Sequence, residues 1–206
     1  SRHINLFTLE KVVVYGADSV DSEEIIELTS VRAGMPMFSL CMDSIRTRVL
    51  SHPHIEAARV SRTFPRALVI RVRERKPIAL INYGDIYSVD SGGFIMKHPS
   101  RENEISLPIL SGFTAEDSLL LNQQTTNRKL LKMLTVLNEI RRSNSAVFPQ
   151  ISELVNTQGN KYILYTADSA TRIYLGETDF AKKVRLLEAF WATLRDKKEW
   201  HDFEYI

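Results

Sequence analysis

Cysteine is almost absent from this 206-residue sequence, which contains only Cys41. A single thiol excludes an internal disulfide, so packing must stabilise the fold. The 27 basic and 25 acidic residues leave a formal net charge of +2, which is too small to indicate a polyanionic partner from charge balance alone. No apolar run approaches the roughly 18 to 20 residues that cross a bilayer. The sequence also lacks a signal peptide pattern, an internal repeat and a low-complexity stretch.

What the sequence does contain is a β-α-α-β-β pattern that is complete by about Glu74. The β-branched and aromatic stretch 7–15 predicts a strand that ends at Gly16. A helix follows, opened by the cap residue Asp21 and the acidic residues after it. Ser39 or Asp43 can cap a second helix, and alternating residues then predict strands over 55–64 and 68–73.

The pattern changes at Lys76-Pro77, where short strands and longer helices begin. Strands are predicted at 78–83, 86–89, 94–97, 151–157, 161–166 and 170–175, with an extended piece at 108–110 and a final strand starting at 203. Helices are predicted over 127–142 and from a cap at Asp179 to Asp196. The sequence therefore predicts two α+β domains, residues 1–76 and 77–206, the second with a mixed or antiparallel sheet.

The first half resembles a POTRA domain of the kind found in the FtsQ/DivIB family of bacterial cell-division proteins. The resemblance is carried by Val14-Tyr-Gly16 and by the ordered string from His52-Pro53 through Arg62 and Glu74 to Ala79. In the second half, Asp90-Ser-Gly-Gly-Phe94, Leu107-Pro-Ile-Leu-Ser-Gly112 and Tyr174-Leu-Gly176 are similar to the segments that follow the POTRA domain in this family. The resemblance covers nearly the whole chain.

The resemblance implies a non-enzymatic scaffold of the divisome that binds FtsB and FtsL through exposed sheet edges. It implies a single membrane helix before Ser1, in the inner membrane, and places this chain on the periplasmic or extracytoplasmic side. The family's partner-binding strand is expected to continue past Ile206, so we expect most of it to lie beyond this sequence. The residues expected to bind partners at the end of the second domain are Lys182, Lys183, Arg185, Glu204, Tyr205 and Ile206.

A second docking edge is expected in the POTRA domain, because an edge strand offers unpaired backbone groups to another strand. The strand before the POTRA turn supplies this edge, with Ile55, Glu56, Ala57, Arg59 and Ser61. The same hairpin is the one locally basic region of the sequence. It favours either a solvated sheet face or contact with anionic lipid or an acidic partner. Its basic residues are Arg59, Arg62, Arg66, Arg71, Arg73, Arg75 and Lys76.

Catalytic and ligand-binding patterns are weak. His52-Pro53-His54 lacks further ligands at metal-site spacing and favours a helix-ending turn. Asp90-Ser-Gly-Gly93 lacks the Lys-Ser/Thr of a phosphate-binding loop and favours a hairpin turn. Cys41 has no histidine placed as a base. The sequence therefore predicts no enzyme activity, no cofactor and no small-molecule substrate.

Three alternatives stay open. One is an unrecognised hydrolase, although the sequence contains nothing like the Gly-x-Ser-x-Gly pattern. A POTRA-bearing outer-membrane assembly or secretion component would bind client strands and continue into a β-barrel. A basic α+β domain that binds nucleic acid would use the arginine-rich hairpin, although its basic residues are not interleaved with a series of stacking aromatics.

Overall fold

The computed structural model describes residues 7–98, 107–142, 147–157, 161–167 and 171–195. These residues form helices and strands in two compact units that divide between Arg75 and Lys76. Each unit has its own hydrophobic core. The α+β fold class predicted from the sequence is confirmed.

The first unit is a three-stranded sheet with two helices. Its elements are β1 (Lys11–Tyr15), α1 (Ser22–Thr29), α2 (Met42–Leu50), β2 (Ile55–Thr63) and β3 (Ala67–Glu74). The strand order is β1-β3-β2, with β1 parallel and β2 antiparallel to the central β3. The core lies between the helices and the sheet, because α1 and α2 bury Ile25, Ile45 and Val49 against alternate residues of β3.

Both helix starts were predicted, but only one cap was correct. The side chain of Asp21 accepts a hydrogen bond from the backbone N–H of Glu23, as an N-cap residue does. The second helix is preceded by Cys41 at the N-cap, with no capping side chain. The prediction of Ser39 or Asp43 as its cap was therefore wrong. Ser39 belongs to a short 3-10 turn over Met37–Ser39, and its hydroxyl donates to the carbonyl of Pro36.

The second unit contains an eight-stranded mixed sheet and two long helices. Its strands are β4 (Pro77–Tyr83), β5 (Asp85–Asp90), β6 (Phe94–Lys97), β7 (Ile109–Ser111), β8 (Gln123–Gln124), β9 (Ile151–Asn156), β10 (Tyr162–Thr166) and β11 (Arg172–Gly176). Its helices are α3 (Arg128–Arg142) and α4 (Phe180–Arg195). The strand order is β11-β10-β9-β7-β4-β5-β6-β8, and the short β7 lies parallel to both of its neighbours.

The core of the second unit joins the sheet to both helices. α3 contributes buried residues such as Leu134 and Leu137 at helical spacing, and α4 contributes Val184, Leu187 and Trp191. Phe180 at the start of α4 meets the buried Tyr162 of β10 edge to face, with ring centroids 5.3 Å apart. The packing of α4 therefore fixes it beside β10 and β11, at one end of the sheet.

Among the described residues, none of the helices is both long enough and apolar enough to span a membrane.

Candidate protein-docking edges

The outermost strand at one end of the larger sheet is β11, which pairs only with β10 within the described part of the chain. The side chains of β11 alternate strictly. Ile173 and Leu175 are buried in the core, whereas Arg172 and Tyr174 are exposed. An outer strand of this kind offers a row of backbone N–H and C=O groups to an added strand.

An apolar groove of about 430 Å³ lies between β11 and α4. Tyr174 on the strand and Leu186 on the helix are both exposed at this groove, and Leu186 retains 59% of its accessible surface. The buried side chains of Ile173, Leu175 and Leu187 form its floor. A strand added beside β11 would have an apolar surface next to it on which to place its own side chains.

The predicted basic residues of this region take different roles. Lys183 is half-buried, and its ammonium donates a hydrogen bond of 2.7 Å to the backbone carbonyl of Leu175 at the end of β11. Lys182 and Arg185 are exposed on α4. The structure thus places all three predicted residues on the helix beside the outer strand. Glu204, Tyr205 and Ile206 lie outside the described residues.

Sequence reasoning missed Tyr174 and Leu186 as candidate docking residues. The helical spacing of Phe180, Val184, Leu187 and Trp191 identifies the buried side of α4, but it does not show which residues flank the outer strand. Pairing of β11 at the end of the sheet supplies that information. In the sequence, Leu186 is simply a leucine outside the predicted buried side of the helix, which is a weak signal of a docking residue.

The predicted POTRA edge strand is β2, which pairs only with β3 in the described structure. Of its five predicted residues, Ile55 is buried in the core and Glu56 forms an ion pair of 3.0 Å with Arg73. Ala57 and Ser61 are half-buried, and Arg59 is exposed. The strand also contains a register shift between Ile55 and Ala57, which interrupts the regular backbone pairing near its start.

The basic hairpin does not form one continuous cationic surface, because several of its arginines are engaged within the first unit. Arg62 donates to the carbonyls of Met37 and Leu40, and Arg75 donates to that of Pro53. The others with internal contacts are Arg66, which pairs with Glu10, Arg73, which pairs with Glu56, and Arg71, which lies over the ring of Tyr15.

The two loops that could have held ligands have internal partners. One carboxylate oxygen of Asp90 accepts hydrogen bonds from the backbone N–H groups of Gly92 and Phe94, which closes the β5–β6 turn as predicted. His52 contacts Glu24 at 3.2 Å through Nε2, and its Nδ1 accepts the backbone N–H of His54. No group of three or more metal-ligating side chains occurs among the residues described.

Together, the β-α-α-β-β unit and the following α+β domain define a POTRA-containing protein, and β2 and β11 are the outermost strands of their sheets in the described part of the chain. Comparison with known protein families agrees with this assignment. Residues 7–75 match the family described as "POTRA domain, FtsQ-type", and residues 79–206 match "Cell division protein FtsQ/DivIB, C-terminal". The chain belongs to the FtsQ/DivIB family of cell-division proteins, and the resemblance found in the sequence is confirmed. This family is membrane-anchored and acts in the divisome.

Individual relatives cover most of the chain. It is 28% identical to the cell division protein FtsQ of Syntrophotalea carbinolica over 191 residues, which are 93% of this chain and 67% of the relative. It is 26% identical to FtsQ of Geotalea daltonii, with 97% of this chain and 73% of the relative covered. Cell division protein DivIB of Bacillus selenitireducens is 26% identical, with 93% and 71% covered.

Proposed function

We propose that this chain is the extracytoplasmic part of a non-enzymatic divisome scaffold that binds FtsB and FtsL. A single upstream helix would hold it at the cytoplasmic membrane, and its role would be to position these partners where the septum forms. Membership of the FtsQ/DivIB family supports the divisome role. The observation that carries the partner-binding proposal is the outer strand β11, which pairs only with β10 among the described residues and lies beside an apolar groove.

Strand addition is the binding mode that this edge favours. In our proposal a strand of FtsB pairs with β11 and extends the sheet. Glu204, Tyr205 and Ile206, which lie outside the described residues, remain proposed partner-binding residues. Main-chain hydrogen bonds would supply much of the affinity, and side chains lying against Tyr174 and Leu186 would supply selectivity. The exposed cations Lys182 and Arg185 favour a partner segment with acidic residues near the added strand.

A calorimetric titration with the extracytoplasmic FtsB–FtsL segment of the same organism tests this proposal. It is carried out on the 206-residue chain and on the region extended through the native C-terminus. We expect the extended region to bind. Its Leu186→Asp variant should bind at least roughly tenfold more weakly, because the carboxylate would have to lose water within the apolar groove.

Leu120→Asp provides the matched control. Leu120 retains 58% of its surface, nearly the same as Leu186, and lies in the same unit but does not line the groove. Its substitution should leave the affinity unchanged. Equal affinities of the Leu186→Asp and parent forms would rule out the groove. Absence of binding by every form would exclude FtsB–FtsL as the partner.

The outer edge of β2, which has no paired strand among the described residues, is the second docking edge in this proposal. The exposed Arg59 lies on it directly opposite Arg71 of β3, and these two like charges would meet an acidic partner strand favourably. Arg59→Glu should weaken any partner that docks here and should leave binding at the β11 edge unchanged. Titrations of the Leu186→Asp and Arg59→Glu variants would therefore show which edge a given partner binds.

A further inference from the structure

Three phenylalanines form an exposed aromatic cluster at one end of the POTRA sheet. Phe7, Phe38 and Phe64 retain 41%, 66% and 56% of their accessible surface. Their ring centroids are 5.4 Å apart for Phe7 and Phe38, 5.9 Å for Phe38 and Phe64, and 6.2 Å for Phe7 and Phe64. The three rings contact each other rather than the core, and together they present a continuous apolar surface to the solvent.

Separate segments of the backbone hold these rings in place. Phe7 precedes β1, Phe38 lies in the 3-10 turn, and Phe64 lies in the turn between β2 and β3. The guanidinium of Arg62 connects two of the segments, because it reaches from β2 to the carbonyls of Met37 and Leu40 on either side of Phe38. Backbone bonds from Met37 to Phe7 and from Leu9 to Met35 join the third segment. Hydrogen bonds between the three segments therefore hold the backbone that carries the rings in a fixed arrangement.

The chemistry of the cluster favours a lipid surface over a protein pocket. Phenylalanine has no polar group, so the three rings can enter the acyl-chain boundary of a bilayer without burying an unsatisfied hydrogen-bonding group. Residues 7–12, 35–40 and 62–67, which carry the rings, contain Lys11, Arg62, Arg66 and Glu10. Arg66 pairs with Glu10, whereas the exposed Lys11 and the half-buried Arg62, whose guanidinium donates to backbone carbonyls, have no acidic partner within these segments. Apolar rings bordered by an excess of cations match the boundary between the acyl chains and anionic headgroups.

We propose that the Phe7, Phe38 and Phe64 cluster inserts into the outer surface of an anionic bilayer and seats the POTRA domain on the membrane. The proposal rests on the membrane anchoring in the proposed function, since an upstream anchor would keep the cluster at high local concentration beside the lipid. Insertion would restrict the orientation of the POTRA domain relative to the membrane without any contact with a partner protein.

The lone Cys41 offers a reporter three residues from Phe38. Cys41 is exposed, and a hydrogen bond from Ser44 lowers the pKa of its thiol, which favours labelling. The full chain is labelled there with an environment-sensitive nitrobenzoxadiazole group. It is then tethered through an N-terminal histidine tag to phosphatidylcholine vesicles that contain nickel-chelating lipid, with or without phosphatidylglycerol.

We expect the label to become brighter and shift to the blue on the vesicles that contain phosphatidylglycerol. Combined substitution of the three rings, F7S, F38S and F64S, should reduce the ratio of inserted to free label roughly tenfold, because less apolar surface enters the interface. The matched control replaces three exposed apolar residues of the second unit, Ile86→Ser, Leu120→Ser and Leu121→Ser, and should retain the full response. Circular dichroism establishes that each variant is folded.

Three outcomes would overturn the proposal: no spectral change on either vesicle, an unchanged response of the triple ring variant, or a dimer in light scattering that the ring variant abolishes. The last outcome would assign the cluster to a second copy of the chain. The FtsB–FtsL titration keeps this proposal separate from the proposed function. The ring variant should bind the partners normally, and Leu186→Asp should retain the vesicle response.

Discussion

The first strand of the POTRA domain is followed by Gly16, where both the backbone conformation and the available space require a glycine. It has a φ of +82°, and a Cβ placed on it would lie 2.2 Å from the carbonyl oxygen of Val72 in β3. Gly34 has a similar φ of +89°, but a Cβ placed there would meet no heavy atom within 4 Å. The two positions therefore separate the cost of a left-handed backbone from the cost of a steric clash.

We expect Gly16→Ala to destabilise the first unit by about 3 kcal/mol, and Gly34→Ala by about 1 kcal/mol. Urea unfolding monitored by a fluorophore on Cys41 measures this unit, because Cys41 is the only thiol of the chain. Equal effects of the two substitutions would show that the Val72 carbonyl moves away at little cost.

We expect His54 to make the stability of the first unit depend on pH. Partial burial, reinforced by the nearby His52, lowers the pKa of His54, although the carboxylates of Glu74 and Glu24 act in the opposite direction. The unfolded chain, with its normal histidine pKa near 6.5, therefore binds a proton more readily than the folded chain. Stability contributed by neutral His54 is complete above about pH 7.5 and decreases as the pH falls through 6.5 toward the lowered pKa.

His54→Gln should consequently lose less stability than the parent between about pH 7.5 and 5.5. The measurement is the urea midpoint of the first unit at a series of pH values. His98→Gln is the control, since His98 lies in the second unit, where its ring contacts Ser88. A parallel pH dependence of the His54→Gln variant and the parent would contradict the assignment to His54.

At the scale of elements, Glu74 connects the end of β3 to the loop before α1. Its carboxylate accepts hydrogen bonds from the backbone N–H groups of Asp18, Ser19 and Val20, at 2.8 to 3.1 Å. Charge-assisted bonds of this kind are stronger than neutral ones. This loop leads directly to the helix cap at Asp21, so one side chain at the end of β3 holds the segment that precedes the first helix.

Glu74→Gln should destabilise the first unit by about 2 kcal/mol, because the amide loses the charge and turns a donor toward backbone donors. Glu10→Gln is the matched control. Glu10 is exposed and its carboxylate pairs with the side chain of Arg66, so its loss should cost about 0.5 kcal/mol or less. Chemical denaturation monitored at Cys41 compares the two, and similar losses would mean that Glu74 has no special role.

Periodicity predicted most elements of this protein, for a physical reason. The alternation of Leu68, Ile70 and Val72 with Arg71 and Arg73 predicts a strand with one buried face. β3 has that arrangement from Ile70 onward, whereas Ala67 and Val69 on its other face are also buried. The stretch from Phe7 was predicted as part of β1, but the strand begins at Lys11. Phe7 instead packs on rings from residues 38 and 64, a contact that no local pattern encodes.

The candidate docking site was only partly predictable for the same reason. The basic residues Lys182, Lys183 and Arg185 could be assigned from the family resemblance, and the structure places them on α4. The neighbouring apolar groove combines a strand with a helix that follows it in the chain. Of its surface residues, Tyr174 follows the two-residue period of a strand and Leu186 the period of about 3.6 residues of a helix, so neither pattern shows that the two side chains are neighbours. Two-residue β8 was also missed, because Gln123–Gln124 is too short to show alternation.

At the scale of the whole molecule, the two hydrophobic clusters share no residue. One consists of residues between Leu9 and Val72, and the other of residues between Ile78 and Trp191. We propose that the two units are separate folding domains, and the chain carries a natural probe for each. Cys41 belongs to the first unit. Both tryptophans, Trp191 and Trp200, follow residue 76 in the sequence, and Trp191 is buried in the core of the second unit.

Leu68→Ala and Leu154→Ala test this proposal as a matched pair, because each leucine is fully buried within one cluster. Each truncation should destabilise its own unit by about 2 to 5 kcal/mol through lost burial and the resulting cavity. In urea, Leu68→Ala should shift the transition reported by a Cys41 label and leave the tryptophan transition unchanged, whereas Leu154→Ala should do the reverse. If either substitution shifts both transitions equally, the units unfold as one cooperative body, and edge-specific variants would then have to be interpreted through the stability of the whole chain.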